Sequence, residues 1–191
     1  QTKRCRSIIQ NLLKFSRASR KEEFETMDIN QVLEETLVFI KHHLEKSKVN
    51  LKESLDRSLP QVEGRPSQLQ QVFTNLMLNA IQAMPGGGTL SIGTTFNQDK
   101  KIIEITFSDT GVGIAQENLD KIFEPFFSTK KVGEGTGLGL SVSYGLVKGH
   151  KGEIRVNSEL NRGTSFTVIL PAPKEKPAME FEDHIQLVSE G

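Results

Sequence analysis

Between Arg65 and Asp99 the chain carries no charged side chain, although residues 66–84 have the spacing of an amphipathic helix. Leu69, Val72, Phe73, Leu76, Met77, Ala80, Ile81 and Met84 recur at three- and four-residue intervals and define one apolar face. The opposite face holds Gln68, Gln71, Asn75, Asn79 and Gln82, all carboxamides. A helix face turned to bulk water is normally furnished with Lys and Glu, so this stripe is expected to face something else. Asn75 and Asn79 stand one turn apart and point the same way. A carboxamide oxygen is a hard ligand that suits Mg²⁺, above all where the ion also holds phosphate oxygens and water. A helix packed on another polar surface would show the same stripe, because amides are ordinary interface residues. Pro66 suits the first turn, and Pro85 with Gly86, Gly87 and Gly88 ends the helix.

Strand signals surround this element. Residues 49–53 read as a strand and lead into a turn-rich segment up to Arg65. Two β-branched runs at 89–96 and 101–108 flank Asn97-Gln98-Asp99-Lys100, whose length and turn chemistry predict a hairpin. Residues 153–157 and 164–170 predict a second hairpin around Glu159-Leu160-Asn161-Arg162-Gly163. A helix is expected over 29–46, where Val32, Leu33, Thr36, Leu37 and Ile40 share a face and either Asp28 or Asn30 can cap the start. Another is expected over 138–149. Interleaved helices and hairpins predict an α/β fold with a mixed, largely antiparallel sheet. At the N-terminus Cys5, Ile8, Ile9, Leu12, Leu13 and Phe15 recur at helical spacing among seven Lys and Arg residues, an amphipathic basic helix over 1–21 followed by the acidic run Glu22, Glu23 and Glu25. Beyond Leu170, Pro171, Pro173 and Pro177 read as a linker or tail.

A length of 191 residues suits one domain of ordinary size with peripheral segments. The 24 basic and 24 acidic residues cancel, so no global charge steers the chain toward nucleic acid or an anionic membrane. Cys5, the sole cysteine, excludes an internal disulfide and a paired-cysteine zinc site. No apolar run approaches the ~20 residues of a membrane span, so the expectation is a soluble, cytoplasmic chain with no membrane segment. It opens at Gln1 in mid-helical pattern, which reads as a piece of a longer protein.

Two glycine-rich segments carry the chemistry. The run from Ile102 to Ser108 delivers Asp109 at its end, followed by Thr110-Gly111-Val112-Gly113-Ile114. A buried carboxylate at a strand end can accept a hydrogen bond from an exocyclic amine, and glycines let a planar ring approach the backbone. The same pattern also marks a plain Asp-Thr-Gly turn. Further on, Gly133-Glu134-Gly135-Thr136-Gly137-Leu138-Gly139-Leu140 runs into a helical pattern, and free N–H groups with the positive dipole end of a helix favour phosphate there. No Gly-Lys-Ser/Thr follows and no long apolar parallel strand precedes, which excludes a P-loop and a Rossmann loop. Between the two segments lie Phe123-Glu124-Pro125-Phe126-Phe127-Ser128-Thr129-Lys130-Lys131, whose aromatics can serve packing and whose lysines can meet phosphate as point charges.

Four elements therefore stand in one order: Asn75-Leu76-Met77-Leu78-Asn79-Ala80, Asp109-Thr110-Gly111-Val112-Gly113, Phe123 to Phe127, and Gly135 to Leu140. Together they resemble the N box, first glycine box, F box and second glycine box of sensor histidine kinases, within the GHKL superfamily shared with gyrase, Hsp90 and MutL. The resemblance covers about residues 28–171 and implies a two-layer α/β sandwich of the Bergerat type that holds ATP between helices and a lid. It implies Mg²⁺ on Asn79 and the adenine amine at Asp109, with Gly111, Gly113 and Ile114 beside the ring. It likewise implies phosphates along Gly137, Leu138, Gly139 and Leu140, with Asn75 in the same site. Thr164 resembles the threonine that supports the adenine-binding aspartate. Lys130 matches the lid lysine of the Phe-Ser-Thr-Lys type in nitrogen-regulation-like kinases, a candidate phosphate contact. Many members have lysine three residues after the metal asparagine and an aromatic residue next, where this chain has Gln82 and Ala83.

By the same resemblance, residues 1–25 are part of the second helix of a dimerisation and histidine-phosphotransfer hairpin, 26–172 the ATP-binding catalytic domain and 173–191 a tail. The phosphoacceptor of such a hairpin sits in a His-Glu/Asp context, and none of His42, His43, His150 or His184 has it. His42, His43 and His150 each read as a surface or capping histidine, and no catalytic residue is expected in the chain itself. The implied activity is a protein-histidine kinase that passes the γ-phosphate of ATP to a histidine outside these residues and then to the aspartate of a response-regulator receiver domain, with a homodimer formed through the hairpin. A nucleotide-dependent regulatory module without phosphotransfer is the alternative. Hydrolysing relatives place a glutamate base four residues before the metal asparagine, where this chain has Asn75, and an amide cannot deprotonate water. The basic helix comes with no base-reading motif, so nucleic acid is not an expected partner.

Overall fold

A computed structural model describes residues 23–130 and 135–172. The helix expected at 1–21 with Cys5, the residues Lys131, Gly133 and Glu134, and the tail from Pro173 with His184 lie outside the described residues.

Helix α1 (Ile29–Lys46) starts at Asp28, whose Oδ1 accepts from the N–H groups of Asn30 at 2.7 Å and Gln31 at 3.3 Å. These are donors that a first turn otherwise leaves without a partner. Asn30, the other candidate cap, instead donates to the Asp56 carbonyl at 2.8 Å and accepts from the Thr94 hydroxyl at 3.0 Å, which ties the start of α1 to the sheet. Helix α2 (Pro66–Ala83) ends one residue before the expected Met84. The ring of Pro85 disfavours helical backbone in the residue before it, and Met84 sits at φ −118°, ψ 61°. Helix α3 spans Gly139–Gly149.

Among the described residues seven strands form two sheets: β1 (Glu25–Met27), β2 (Val49–Leu55), β3 (Val62–Gly64), β4 (Gly88–Asn97), β5 (Ile102–Asp109), β6 (Glu153–Glu159) and β7 (Gly163–Pro171). The main sheet has the order β2-β4-β5-β7-β6, with β2 and β4 parallel and every other pair antiparallel. Both expected hairpins are present. The antiparallel pair β1 and β3 is not among the expected elements; three residues each are too few for a periodic signal to show.

The three α-helices of the described residues lie on one face of the main sheet, giving two layers. Helix α2 packs over β4, β5 and β7, with α1 against α2 and β2 and with α3 against α2 and β6. Period-two alternation on β5 turns Ile103, Ile105 and Phe107 toward the helices, where Phe107 meets Phe73 of α2 with ring centroids 5.6 Å apart. Full burial of such a side chain contributes about 1.5–3 kcal/mol. The carboxamide stripe of α2 grades from buried Gln68 through half-buried Gln71, Asn75 and Asn79 to exposed Gln82. Among the described residues no helix is long and apolar enough to cross a membrane.

His150 caps the end of α3, the second of the two readings given to it, but is buried, only 3% exposed. Its Nδ1 lies 2.8 Å from the Leu146 carbonyl and its Nε2 accepts from the Arg65 N–H at 3.0 Å, an arrangement that only the neutral ring satisfies. Phe24 packs on the ring at 5.2 Å, so this histidine joins the end of α3 to the start of α2 and to β1. Burial, with the positive charge of Arg65, holds the imidazole pKa below its ordinary 6.5, while the Leu146 carbonyl opposes the shift. With a depressed folded-state pKa, the unfolded chain takes up the proton first, so the stability that His150 contributes is complete above 6.5 and is lost as the pH falls below it. Urea unfolding between about pH 8 and pH 5 should show this decline, and His150→Gln should remove most of the slope.

Candidate functional site

The alternation that buries Ile103, Ile105 and Phe107 places Asp109 on the same face of β5, at its end and 8% exposed. Asp109 Oδ1 accepts from the Gly111 N–H at 2.8 Å and the Thr164 N–H at 3.3 Å. No described group bonds Oδ2. Burial raises the carboxyl pKa above its ordinary 3.8, and the two N–H bonds offset part of that rise. Thr164 supports Asp109 through its backbone; its hydroxyl lies 2.9 Å from Ser158 Oγ.

Ser158 fastens three segments at once. Its hydroxyl donates to the Gly163 carbonyl at 3.0 Å and accepts from the Ile114 N–H at 2.8 Å, so the Thr164 hydroxyl is the donor of their shared bond. The first glycine segment is also held from two sides, by the Val112 N–H on the Ala83 carbonyl at 3.0 Å and the Asn161 N–H on the Val112 carbonyl at 2.7 Å. Gly113 has φ +68°, and a Cβ on it would stand 2.1 Å from the Glu159 carbonyl oxygen, so no other residue fits there without displacement.

Asp109 opens onto a cavity of about 950 Å³ between α2, the sheet and the segment that leads into α3. The first turn of α3 has no side-chain cap, and its Gly139 and Leu140 line the cavity. Asn75 holds that turn in place, its Nδ2 donating to the Gly139 carbonyl and Ser143 Oγ, both at 3.2 Å. Lys130 reaches across to α2, with Nζ 3.5 Å from Asn79 Oδ1 and bonded to Gln82 Oε1. Phe126, at φ +69°, donates its N–H to the Gly137 carbonyl at 2.9 Å, and a Cβ on Gly137 would stand 2.4 Å from the Phe126 carbonyl carbon, so the aromatic segment and the second glycine segment require one another.

Of the residues singled out by sequence, Asn75, Asn79, Asp109, Gly113, Ile114, Lys130, Gly137, Gly139, Leu140 and Thr164 line this one cavity. Gly111 and Leu138 do not: Gly111 packs on the Ala83 carbonyl and Leu138 precedes the first turn of α3. Of the carboxamide stripe, Asn75 packs on a polar surface, and both Asn75 and Asn79 line the cavity. Phe127, the last ring of the aromatic segment, lines the cavity, whereas Phe123 packs on Tyr144 with centroids 5.3 Å apart. Sequence reading missed Leu78, Ile122 and Phe166 in the lining, and Ser158. Phe166 was accessible to it, standing two residues beyond Thr164 on the same face of β7; Ser158 had no signal in a strand of mixed polarity.

The donor set for a metal is sparse. Among the described residues no group of three His, Cys, Asp or Glu side chains is placed to hold an ion, so a cation here would depend on Asn79 Oδ1 together with oxygens of a ligand and water.

Residues 64–174 match the family described as histidine kinase-, DNA gyrase B-, and HSP90-like ATPase. The chain is 35% identical over 171 residues to sporulation kinase E of Bacillus subtilis, a match that covers 90% of this chain and 23% of that protein. To the sensor histidine kinase ZraS of Escherichia coli it is 37% identical over 147 residues, 77% of this chain and 31% of that protein. The chain thus spans less than a third of the length of either relative. Its fold matches the catalytic domain of the histidine kinase ThkA with a TM-score of 0.69 at 29% identity, covering 78% of this chain and 96% of that one.

Ser158→Ala should cost about 1–3 kcal/mol, because the Ile114 N–H and the Gly163 carbonyl would each lose a partner in a half-buried position. Urea denaturation of the parent and variant measures the difference; a change below about 0.5 kcal/mol would contradict the role given to this hydroxyl.

Proposed function

Because the chain belongs to the histidine kinase-, DNA gyrase B- and HSP90-like ATPase family, we propose that it is the ATP-binding catalytic domain of a two-component sensor histidine kinase. In this reading it transfers the γ-phosphate of ATP to a histidine on a separate hairpin, from which a response-regulator aspartate receives it. Residues 26–172 form the nucleotide-binding domain, 1–25 part of a dimerising hairpin and 173–191 a tail, in the cytoplasm. The observation that carries the reading is the Asp109 carboxylate, fixed through Oδ1 and open to the cavity through Oδ2, opposite an uncapped helix N-terminus.

The adenine amine donates to Asp109 Oδ2, and Gly113, packed on the Glu159 carbonyl, places the backbone beside the ring. Val112, Ile114 and Phe166 line that part of the cavity. The phosphates extend to the first turn of α3, where N–H groups and the helix dipole favour negative charge. Lys130 adds a positive charge on the α2 side. Asn79 would hold Mg²⁺, which when bound neutralises charge on the phosphates. Asn75 uses its NH₂ group on Gly139 and Ser143 and has no basic atom, so no group at that position deprotonates water and ATP hydrolysis by the chain alone is slow.

Calorimetry of the chain with ATP and Mg²⁺ tests the reading, with an expected dissociation constant between about 1 μM and 1 mM. In Asp109→Asn the oxygen must still serve the two backbone N–H groups, which turns the new NH₂ toward the adenine amine; binding should weaken at least about tenfold. Binding favours the ionised carboxyl, so affinity should rise with pH through the pKa of Asp109 and be lost on acidification at a pH above the 3.8 of an ordinary aspartate. Undetectable ATP binding by the parent chain, or an unaltered affinity in Asp109→Asn, would refute this assignment.

A further inference from the structure

Lys130 is exposed, yet its ammonium is aimed at two carboxamide oxygens on one face of α2. Nζ bonds Gln82 Oε1 and lies 3.5 Å from Asn79 Oδ1, the oxygen that the proposed function gives to the divalent cation. Asn79 and Gln82 are three residues apart and therefore neighbours on the helix surface. Both oxygens are uncharged dipoles, able to bind an ammonium or a hydrated divalent ion. A single amide oxygen with both cations on it would crowd like charges within a few ångströms, a strongly repulsive arrangement so close to the protein surface. The two cations therefore compete for one oxygen.

We propose that Gln82 is a positioning residue that holds Lys130 on the metal-ligand oxygen of Asn79, so that this site exchanges a lysine ammonium for Mg²⁺ rather than binding the two side by side. The inference rests on the ATP reading of the cavity. It gives Gln82 a role no other residue of α2 shares: anchored at Gln82, Lys130 already stands at the phosphate end of the cavity and acts as counter-charge for the triphosphate when Mg²⁺ is scarce. When Mg²⁺ takes the Asn79 oxygen, the ammonium is displaced from it. A side chain without an acceptor at position 82 would leave Lys130 to choose among solvent positions, and the triphosphate would lean on Mg²⁺ more heavily.

Calorimetric titrations with ATP and with adenosine, each in the presence of Mg²⁺ and in excess chelator, separate these effects in the parent chain, Gln82→Met, Lys130→Met and the double variant. Methionine matches the length of Gln82 and the apolar stem of Lys130 up to Cε, and removes the polar end of each. Adenosine has no phosphate and gauges the base site alone. Withdrawing Mg²⁺ should weaken ATP binding in each single variant roughly three- to tenfold more than in the parent. The double variant should behave like Lys130→Met, since Gln82 acts only through the lysine. If parent and single variants respond alike to the loss of Mg²⁺, or if the two substitutions add, while adenosine still binds, the inference fails and the ATP reading stands. A parent chain that binds neither adenosine nor ATP overturns both.

Discussion

Two backbone N–H groups converge on a single oxygen of Asp109, and the geometry of the cavity follows from that clamp. A carboxylate 8% exposed at the end of a strand is costly to keep charged, and burial does push its pKa up. The N–H groups of Gly111 and Thr164 offset part of this cost at one oxygen, and the second has no described partner in a residue that lines the cavity. Thr164 can donate only because β7 pairs with β5 in the register that sets it opposite Asp109, and that register needs Gly163, where a Cβ would stand 2.0 Å from the Asp109 carbonyl oxygen. Ser158 then locks β6, the turn after it and Ile114 to the same point.

The other end of the cavity works with dipoles in place of fixed charges. Asn79 and Gln82 offer amide oxygens, and the first turn of α3 offers N–H groups, while Lys130 supplies the mobile positive charge. Uncharged groups carry a smaller desolvation cost than carboxylates or extra lysines would, and they let a strongly charged ligand bring its own counter-ion. The absence of charge between Arg65 and Asp99 is the sequence-level trace of this arrangement, and it extends over the whole of α2 and β4.

Much of this was legible from residues alone, for physical reasons that can be named. The helices at 29–46 and 66–83 show because their apolar residues hold a 3.6-residue period over 18 residues each, and β5 shows because its alternation is unbroken. Asp109 and Gly113 were singled out by the Asp-Thr-Gly-Val-Gly pattern at a strand end and Gly137 by the glycine run before a helix, and at Gly113 and Gly137 the close backbone approaches give the physical reason for glycine. The strands β1 and β3 did not show, being three residues long, and the burial of the capping His150 did not show because a histidine after a glycine says nothing of the Arg65 N–H that fills its acceptor. Ser158 and the bond between Lys130 and Gln82 were beyond reach for a further reason: both join segments more than 40 residues apart in contacts that no local period records.

The account makes one claim above the rest, that ATP held by Asp109 delivers its γ-phosphate to a histidine outside this chain. Incubating the chain with γ-labelled ATP, Mg²⁺ and a separately supplied hairpin that carries a phosphoacceptor histidine measures it directly. The account predicts acid-labile, base-stable label on the hairpin histidine, lost with Asp109→Asn, and none on His42, His43 or His150. Bound ATP with no label on the hairpin, or label on the chain itself, would contradict it.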